Sequence, residues 1–374
     1  MKNFFVSIRN AFIKFFYKNL LKPIFFKMDP ENAHDMMSDM GKILGKNFIG
    51  RGLTSLSFGY SNPALHQKIL GIDFKNPVGL AAGFDKNAEL TDIIPKVGFG
   101  FEEVGSITGE PCEGNQKPRL WRLKKSQALV VNYGLKNDGC EKISERLKNK
   151  KFIFPVGISI AKTNAPNTCE TDAGVKDYVK AFKHFTNIGA YFTINISCPN
   201  AYGGQPFTDP AKLKKLLTEL DKIPTEKPIF LKFSPDITKA NLDEILHIAT
   251  QHRIHGFICT NLTKPRDNKK IIDKDVPQVG GISGKVVEDL ADEMIKHLYQ
   301  KTKGKYIIIG LGGVFNAADA YKKIKLGSSL VQLITGMIYE GPEVISEINL
   351  GLVKLLKKDG YKNISEAIGA DNKL

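Results

Sequence analysis

The residues best suited to chemistry sit immediately after short apolar runs. Asn195-Ile196-Ser197-Cys198-Pro199-Asn200 places a thiol between two carboxamides. A carboxamide both donates and accepts hydrogen bonds, which suits a planar ligand with amide and carboxylate edges. Asn261, after Thr260, adds a third. Cys198 is the one side chain there with obvious acid–base or nucleophilic capacity. A free thiol titrates near ~8.5, high for a base at neutral pH, and nearby cations are expected to lower it. The cations are Lys86, in Ala82-Gly83-Phe84-Asp85-Lys86-Asn87, and Lys232, inside Pro228–Phe233. Both would suit the electron-rich edge of a flavin, stabilising negative charge on the reduced ring. Gly105-Ser106 ends another run, and Ser159 lies in one followed by Lys162. Gly310-Leu311-Gly312-Gly313 and Thr335-Gly336 precede helical patterns. Glycines let the backbone approach a phosphate, and helix N-termini offer free N–H groups. Gly312, Gly313, Thr335 and Gly336 therefore point to a phosphorylated ligand. Taken singly, each feature has a plainer reading: a lone Lys is usually in an ion pair, and a lone Cys is usually a small buried hydrophobe.

Positioning these groups around one mouth requires a particular frame. Apolar or β-branched runs occur at Pro77–Ala82, Phe101–Ser106, Pro155–Ile160, Phe192–Ile196, Pro228–Phe233, Gly256–Thr260, Tyr306–Leu311 and Ser329–Ile334. Helical patterns lie between most of them: Asp177–Thr186, Pro210–Leu220, Lys239–Thr250, Val286–Lys301 and Ala317–Ile324. Eight strands alternating with helices predict an α/β fold, a (β/α)8 TIM barrel, with its chemistry at the C-terminal strand ends. An open doubly wound sheet is the alternative, though it more often has fewer strands.

Residues 1–27 differ from the rest. They carry Lys2, Arg9, Lys14, Lys18, Lys22 and Lys27 and no acid. Phe5, Ile8, Phe12, Phe15, Phe16 and Leu20 follow helical spacing, giving an apolar face opposite a basic one. The expectation is an interfacial helix on an anionic membrane surface, with a helix packed on the protein's own core as the alternative. A second helix is predicted from Pro30 to about Leu44, opened by Asp29-Pro30-Glu31; Gly41, Gly45, Gly50 and Gly52 mark its end and a linker. The division expected is a helical membrane and quinone segment over 1–52 and a barrel over 53–374. The net charge of +15 comes from 47 Lys and only 7 Arg, spread along the chain. Arg is the usual residue for bidentate phosphate and base contacts, so no nucleic-acid partner is expected. Five cysteines without a Cys-x-x-Cys pair argue against a disulfide framework and a metal site. No run is long and apolar enough to span a bilayer.

The segments Pro77-Val-Gly-Leu-Ala-Ala-Gly-Phe-Asp-Lys-Asn87, Asn195–Asn200, Gly280-Gly-Ile-Ser-Gly284 and Ile309-Gly-Leu-Gly-Gly313 resemble the dihydroorotate dehydrogenase family. Phe26-Lys-Met-Asp-Pro-Glu-Asn-Ala-His34 resembles the N-terminal extension of its membrane-associated, quinone-reducing class. The resemblance covers nearly the whole chain and implies an FMN-bearing barrel oxidising dihydroorotate to orotate in pyrimidine synthesis. It implies that Ala82, Gly83, Ser106, Ser159, Lys232, Thr260, Gly284, Gly313, Thr335 and Gly336 hold FMN. Lys86, Asn132, Asn195, Asn200 and Asn261 would grip dihydroorotate, with Lys86 and Asn195 near both ligands. Cys198 would take the C5 proton as hydride leaves C6. His34 and Arg122 would line the path of a membrane quinone, placing the enzyme peripherally on the cytoplasmic face of the cell membrane.

The chain departs from the family pattern in five places. Cys198 stands where the quinone class has serine, and Ser159 where the family has asparagine. Val131-Asn-Tyr-Gly-Leu-Lys136 replaces an Asn-Arg-x-Gly-Phe-Asn loop and shifts Asn132. Leu262 and Ile334 replace a threonine and a tyrosine. The cysteine base keeps open a soluble-type enzyme using fumarate or NAD. Another FMN barrel with a catalytic cysteine, a tRNA dihydrouridine synthase, and a non-catalytic membrane scaffold remain further alternatives.

Overall fold

The computed structural model describes residues 2–372. Met1, the first residue of the expected membrane segment, and the side chain of Lys2 lie outside the described part. Eight strands form a closed parallel barrel: β1 (Val78–Leu80), β2 (Phe101–Ile107), β3 (Val156–Ile160), β4 (Tyr191–Asn195), β5 (Ile229–Phe233), β6 (Gly256–Cys259), β7 (Ile307–Leu311) and β8 (Leu330–Leu333). Neighbours follow chain order, and β8 closes on β1. All eight apolar runs are barrel strands, because a strand buried on both faces reads as continuous hydrophobic sequence. The register brings Asn195 opposite Lys232 and Lys232 opposite Ile258.

One end of the barrel is sealed. Phe101, Tyr191, Phe230, Ile258, Ile309 and Leu330 fill it, and a hairpin of Gln67–Ile69 and Ile72–Phe74 covers it with Ile69 and Phe74. Phe74 meets Phe101 edge-on, with ring centroids 5.4 Å apart. Ligands must therefore enter at the other, C-terminal end. Over that end lies a three-stranded antiparallel sheet of Leu120–Leu123, Ala128–Val131 and Gly281–Gly284, which the sequence pattern did not announce. Its first two strands have four residues each, too short to show a period.

The expected helices are present, with Asp177–Thr186 belonging to a longer helix, Thr171–His184. At the N-terminus, α1 (Lys2–Phe16) continues through a wider turn, Tyr17–Leu21, into Lys22–Phe25. α2 (Pro30–Lys46) is capped by Asp29, whose carboxylate accepts from the N–H groups of Glu31 and Asn32, both at 3.0 Å. The linker expected at Gly50 and Gly52 is instead part of a third helix, α3 (Phe48–Phe58), and the expected boundary between 52 and 53 falls inside it. Gly50 serves close packing there: a Cβ would lie 2.5 Å from the Leu44 carbonyl oxygen.

α1 keeps its apolar face exposed, as an interfacial helix would, but its basic side chains turn to the protein. Its inward residues are Val6, Asn10 and, beyond its end, Tyr17. Arg9 donates to Leu56 O, Gly59 O and Ser346 Oγ at 2.9, 3.0 and 2.8 Å. Lys14 pairs with Glu347 at 2.7 Å, Lys18 with Glu340 at 2.6 Å, and Lys22 donates to Tyr339 O at 2.9 Å. Four of the six basic residues thus bind the protein's own acids and carbonyls, which leaves little of that charge for the expected attraction to anionic lipid. The outward face is apolar: Phe4, Phe5, Ile8, Phe12, Phe15 and Leu20 are exposed, joined by Met40 and Ile43 of α2 and Phe48, Leu53 and Leu56 of α3. Among the described residues no helix is long and apolar enough to cross a membrane.

Candidate active site

One cavity of about 320 Å3 runs from the barrel mouth to the cleft between α2 and the segment before it. Its barrel end is lined by Lys86, Asn195, Cys198, Asn200, Lys232 and Asn261, and its far end by Phe26, Ala33, His34, Met37 and Arg122. Ala82, Gly83, Ser106, Thr260, Gly284, Gly313, Thr335 and Gly336 also face it. Two expected residues do not. Ser159 is fully buried behind Ser106, with the two hydroxyl oxygens 2.8 Å apart. Asn132 uses its carboxamide oxygen to accept from Asn115 at 3.1 Å; shifted one place along the loop, it does not line the cavity. Both corrections follow from local geometry: one side chain is too short, the other is displaced along its strand.

The carboxamides are held firmly. Asn195, at the end of β4, donates to Ser106 Oγ at 2.8 Å and accepts from Ser197 Oγ at 2.9 Å. Asn261 donates to Ser197 O at 2.9 Å, and Asn200 to Val131 O at 2.8 Å. Pre-set hydrogen-bonding edges cost little reorganisation when a planar ligand binds. Lys232, 3 % exposed, is lowered by burial, with Glu103 and Cys198 partly offsetting it. Burial lowers Lys86 to about 8, opposed by Asp35 and Glu31 and reinforced by Lys136 and Arg119. Its ammonium lies 4.1 Å from the centre of the Tyr133 ring.

Cys198 behaves differently from expectation. Burial raises its pKa, and the Asn200 N–H, Lys162 and Lys232 only partly counter this. The cations are present, but desolvation of the thiolate wins. The free site therefore holds a neutral thiol at neutral pH. Lys162 shares a second, water-sized cavity with Cys198 and donates to Tyr202 O at 2.8 Å.

The glycine-rich end fits a phosphate. Gly312, Gly313 and Gly284 have φ of +118°, +74° and +88°. A Cβ on Gly313 would lie 2.4 Å from Glu288 Cβ, and one on Gly284 2.3 Å from Gln127 O. The turn Thr335–Glu340 opens without a side-chain cap, leaving its first N–H groups for a ligand. At the far end, His34 Nε2 is 3.0 Å from Phe84 O and Nδ1 is 3.1 Å from Asp35 Oδ1. Burial, then Lys86, lowers His34, so the ring is neutral. Arg122 donates to Met28 O at 2.8 Å, and its guanidinium lies 4.9 Å from the Phe26 ring. Leu262 and Ile334 line the same cavity. Sequence reasoning passed over Tyr133, Asn115, Glu31 and Arg119. The signal available for Arg119 was its rarity among so many lysines; Asn115 carried none.

A thiol, carboxamides and lysines at the mouth of a closed barrel, beside a glycine-lined phosphate cradle, define a (β/α)8-barrel oxidoreductase. Comparison with known proteins sharpens this class. The dihydroorotate dehydrogenase family profile matches residues 64–356. The chain is 38% identical over 356 residues to the dihydroorotate dehydrogenase (quinone) of Nautilia profundicola, covering 94% of this chain and 96% of that one. It is 36% identical to the Trichodesmium erythraeum enzyme of the same name, covering 96% and 99%. Among solved structures, it is similar to Eimeria tenella DHODH in complex with ferulenol, with a TM-score of 0.80 and 30% identity over 92% of this chain and 96% of that one. The chain belongs to the dihydroorotate dehydrogenase family, and the Nautilia and Trichodesmium relatives are named as quinone-linked enzymes.

Proposed function

We propose that this chain is a quinone-linked dihydroorotate dehydrogenase of pyrimidine biosynthesis, and that the continuous cavity carries both half-reactions. The single observation that carries the reading is that continuity, from Cys198 to His34 and Arg122. The family works with FMN, and the glycine cradle fits its phosphate, with Lys232, Thr260, Gly284, Gly313, Thr335 and Gly336 as the holding residues. FMN held there would supply a two-electron acceptor for the hydride of dihydroorotate and a donor of electrons to quinone. The chain's own part is binding, orientation and proton movement. Asn195, Asn200 and Asn261 present donors and acceptors to the amide edges of dihydroorotate, and Lys86 neutralises its carboxylate. Cys198 removes the C5 proton in its thiolate form, which burial makes the minor form at neutral pH. Arg122, with guanidinium N–H groups to spare beyond its bond to Met28 O, polarises a quinone oxygen, and His34 lines the path beside it.

The outward apolar face of α1–α3 is the surface we assign to the membrane. Quinones dissolve in the bilayer, and the cleft between α2 and the preceding segment opens among these helices. Docking is peripheral and chiefly hydrophobic, since Arg9, Lys14 and Lys18 are engaged by the protein itself. Stopped-flow mixing tests the whole reading. Dihydroorotate should reduce the bound flavin, and a long-chain quinone should reoxidise it faster than fumarate or NAD. Preference for fumarate or NAD would favour the soluble-type alternative that the cysteine base kept open.

A further inference from the structure

The N-terminal helices and the dihydroorotate end of the cavity are joined by a buried ion pair that the reaction as described does not use. Glu31, on the first turn of α2, is 3 % exposed, and Arg119, at the edge of the three-stranded sheet, is 4 % exposed. Arg119 Nε donates to Glu31 Oε1 and Oε2 at 3.2 and 3.1 Å, and Nη2 donates to Oε1 at 2.7 Å. The same guanidinium donates through Nη1 to Glu113 O at 2.8 Å and Asn115 O at 2.9 Å. Its backbone carbonyl accepts from Asn132 N at 2.8 Å.

From there the connection reaches the site in two ways. Asn115 donates to Asn132 Oδ1 at 3.1 Å and to Asn200 O at 3.0 Å, so it anchors the backbone of a substrate carboxamide. Asn164 donates to Asn115 Oδ1 at 3.0 Å and holds it from the other side. The Arg119 guanidinium also lies 5.3 Å from the Tyr133 ring, which is the ring 4.1 Å from the Lys86 ammonium. A bidentate carboxylate fixes a guanidinium in plane and direction, which a single hydrogen bond does not.

We propose that Glu31 is a positioning residue for dihydroorotate, acting through Arg119 on Asn115 and Tyr133. The N-terminal helices are then part of the first half-reaction as well as the quinone path. The proposal rests on the dehydrogenase reading above for the identity of the ligand. It also predicts an electrostatic signature. Asp35 and Glu31 favour the Lys86 ammonium, while burial, Lys136 and Arg119 oppose it, and His34 and Tyr133 complete its surroundings. Removing the Glu31 charge leaves Arg119 and Lys136 less neutralised, so the ammonium is held less well.

The test uses FMN-loaded, full-length Glu31→Gln enzyme, with flavin reduction by dihydroorotate and reoxidation by quinone followed separately. The expected result is a roughly 10- to 100-fold weaker dihydroorotate dependence, the scale of a misplaced contact. Quinone KM should stay within about twofold of wild type, since the quinone residues keep their contacts. The alkaline limb of kcat/KM for dihydroorotate should move to lower pH. Glu31→Asp, which keeps the charge, should return that limb towards wild type. If Glu31→Gln does not fold, the double variant Glu31→Met/Arg119→Met removes both charges and keeps apolar volume; the same dihydroorotate-selective loss is expected. Unchanged dihydroorotate dependence with an unmoved limb overturns the proposal. So does an equal loss in both half-reactions, which marks a merely structural pair. Failure of the dehydrogenase reading is distinguishable, because wild-type flavin would then not be reduced by dihydroorotate at all.

Discussion

Replacing Phe5 and Phe12 together by serine should release the enzyme from membranes. The two side chains are 66% and 65% exposed, on the face of α1 turned away from the barrel. Burying a whole phenylalanine side chain contributes about 1.5–3 kcal/mol. With two-thirds of the surface available, each contributes about 1–2 kcal/mol on insertion. The double variant then loses about 2–4 kcal/mol, or roughly 30- to 1,000-fold in vesicle partitioning. A free basic residue at an anionic surface contributes roughly 1 kcal/mol, but Lys14 and Lys18 are already paired with Glu347 and Glu340. Lys18→Gln should therefore change partitioning little. The assay is co-sedimentation with neutral and anionic vesicles at low and high salt, with urea unfolding to confirm that the variant is folded. Binding should survive high salt and neutral lipid and fall in the double variant. Binding that vanishes at high salt, and is indifferent to Phe5 and Phe12, refutes the reasoning and restores a cationic docking face.

Three further predictions follow from the site and its surroundings. Cys198→Ala should keep FMN and dihydroorotate binding but slow flavin reduction by roughly 10²- to 10⁴-fold; because burial raises the thiol, the wild-type reduction rate should climb with pH through the ordinary thiol range, and Cys198→Ser should need still higher pH. A wild-type rate already flat at neutral pH would contradict the neutral thiol. Lys86→Ala should weaken dihydroorotate binding and slow reduction together, and equilibrium titration beside single-turnover rates checks both; in wild type, binding should fade as pH rises past about 8, where the free ammonium is lost. Glu343 is fully buried with neither carboxylate oxygen hydrogen-bonded among the described residues, and burial raises it to about 7. A carboxyl raised on folding contributes stability at low pH that is lost as pH rises from its ordinary value through the folded one. Glu343→Gln should therefore be near neutral at pH ~4 and stabilising by about 1–2 kcal/mol at pH ~8 after allowance for solvent screening; urea midpoints at the two pH values decide it.

The barrel was legible because each strand is buried on both faces, so every one shows as an apolar run of its own. The catalytic groups were legible because strand ends are where a polar residue interrupts such a run, as at Asn195, Lys232 and Thr260. What escaped was packing that leaves no period. The sheet over the mouth is made of four-residue strands, and Gly50 looked like a linker because its role is contact with Leu44. Asn132 and Ser159 were misplaced because a one-residue shift and side-chain reach decide which atoms meet a cavity. The partners of the basic face of α1 were not legible either: a helical wheel gives the angle between two faces but not what each one meets. Here acids far away in the chain, Glu340 and Glu347, claim the basic face. The Glu31–Arg119 pair likewise joins residues 88 positions apart.

The most direct test of the central claim is an anaerobic absorbance measurement on the purified, FMN-loaded protein. Added dihydroorotate should bleach the flavin absorbance with release of orotate, and a subsequent addition of long-chain quinone should restore the colour within the turnover time. A flavin that stays oxidised in the presence of dihydroorotate would contradict the account, whatever the acceptor.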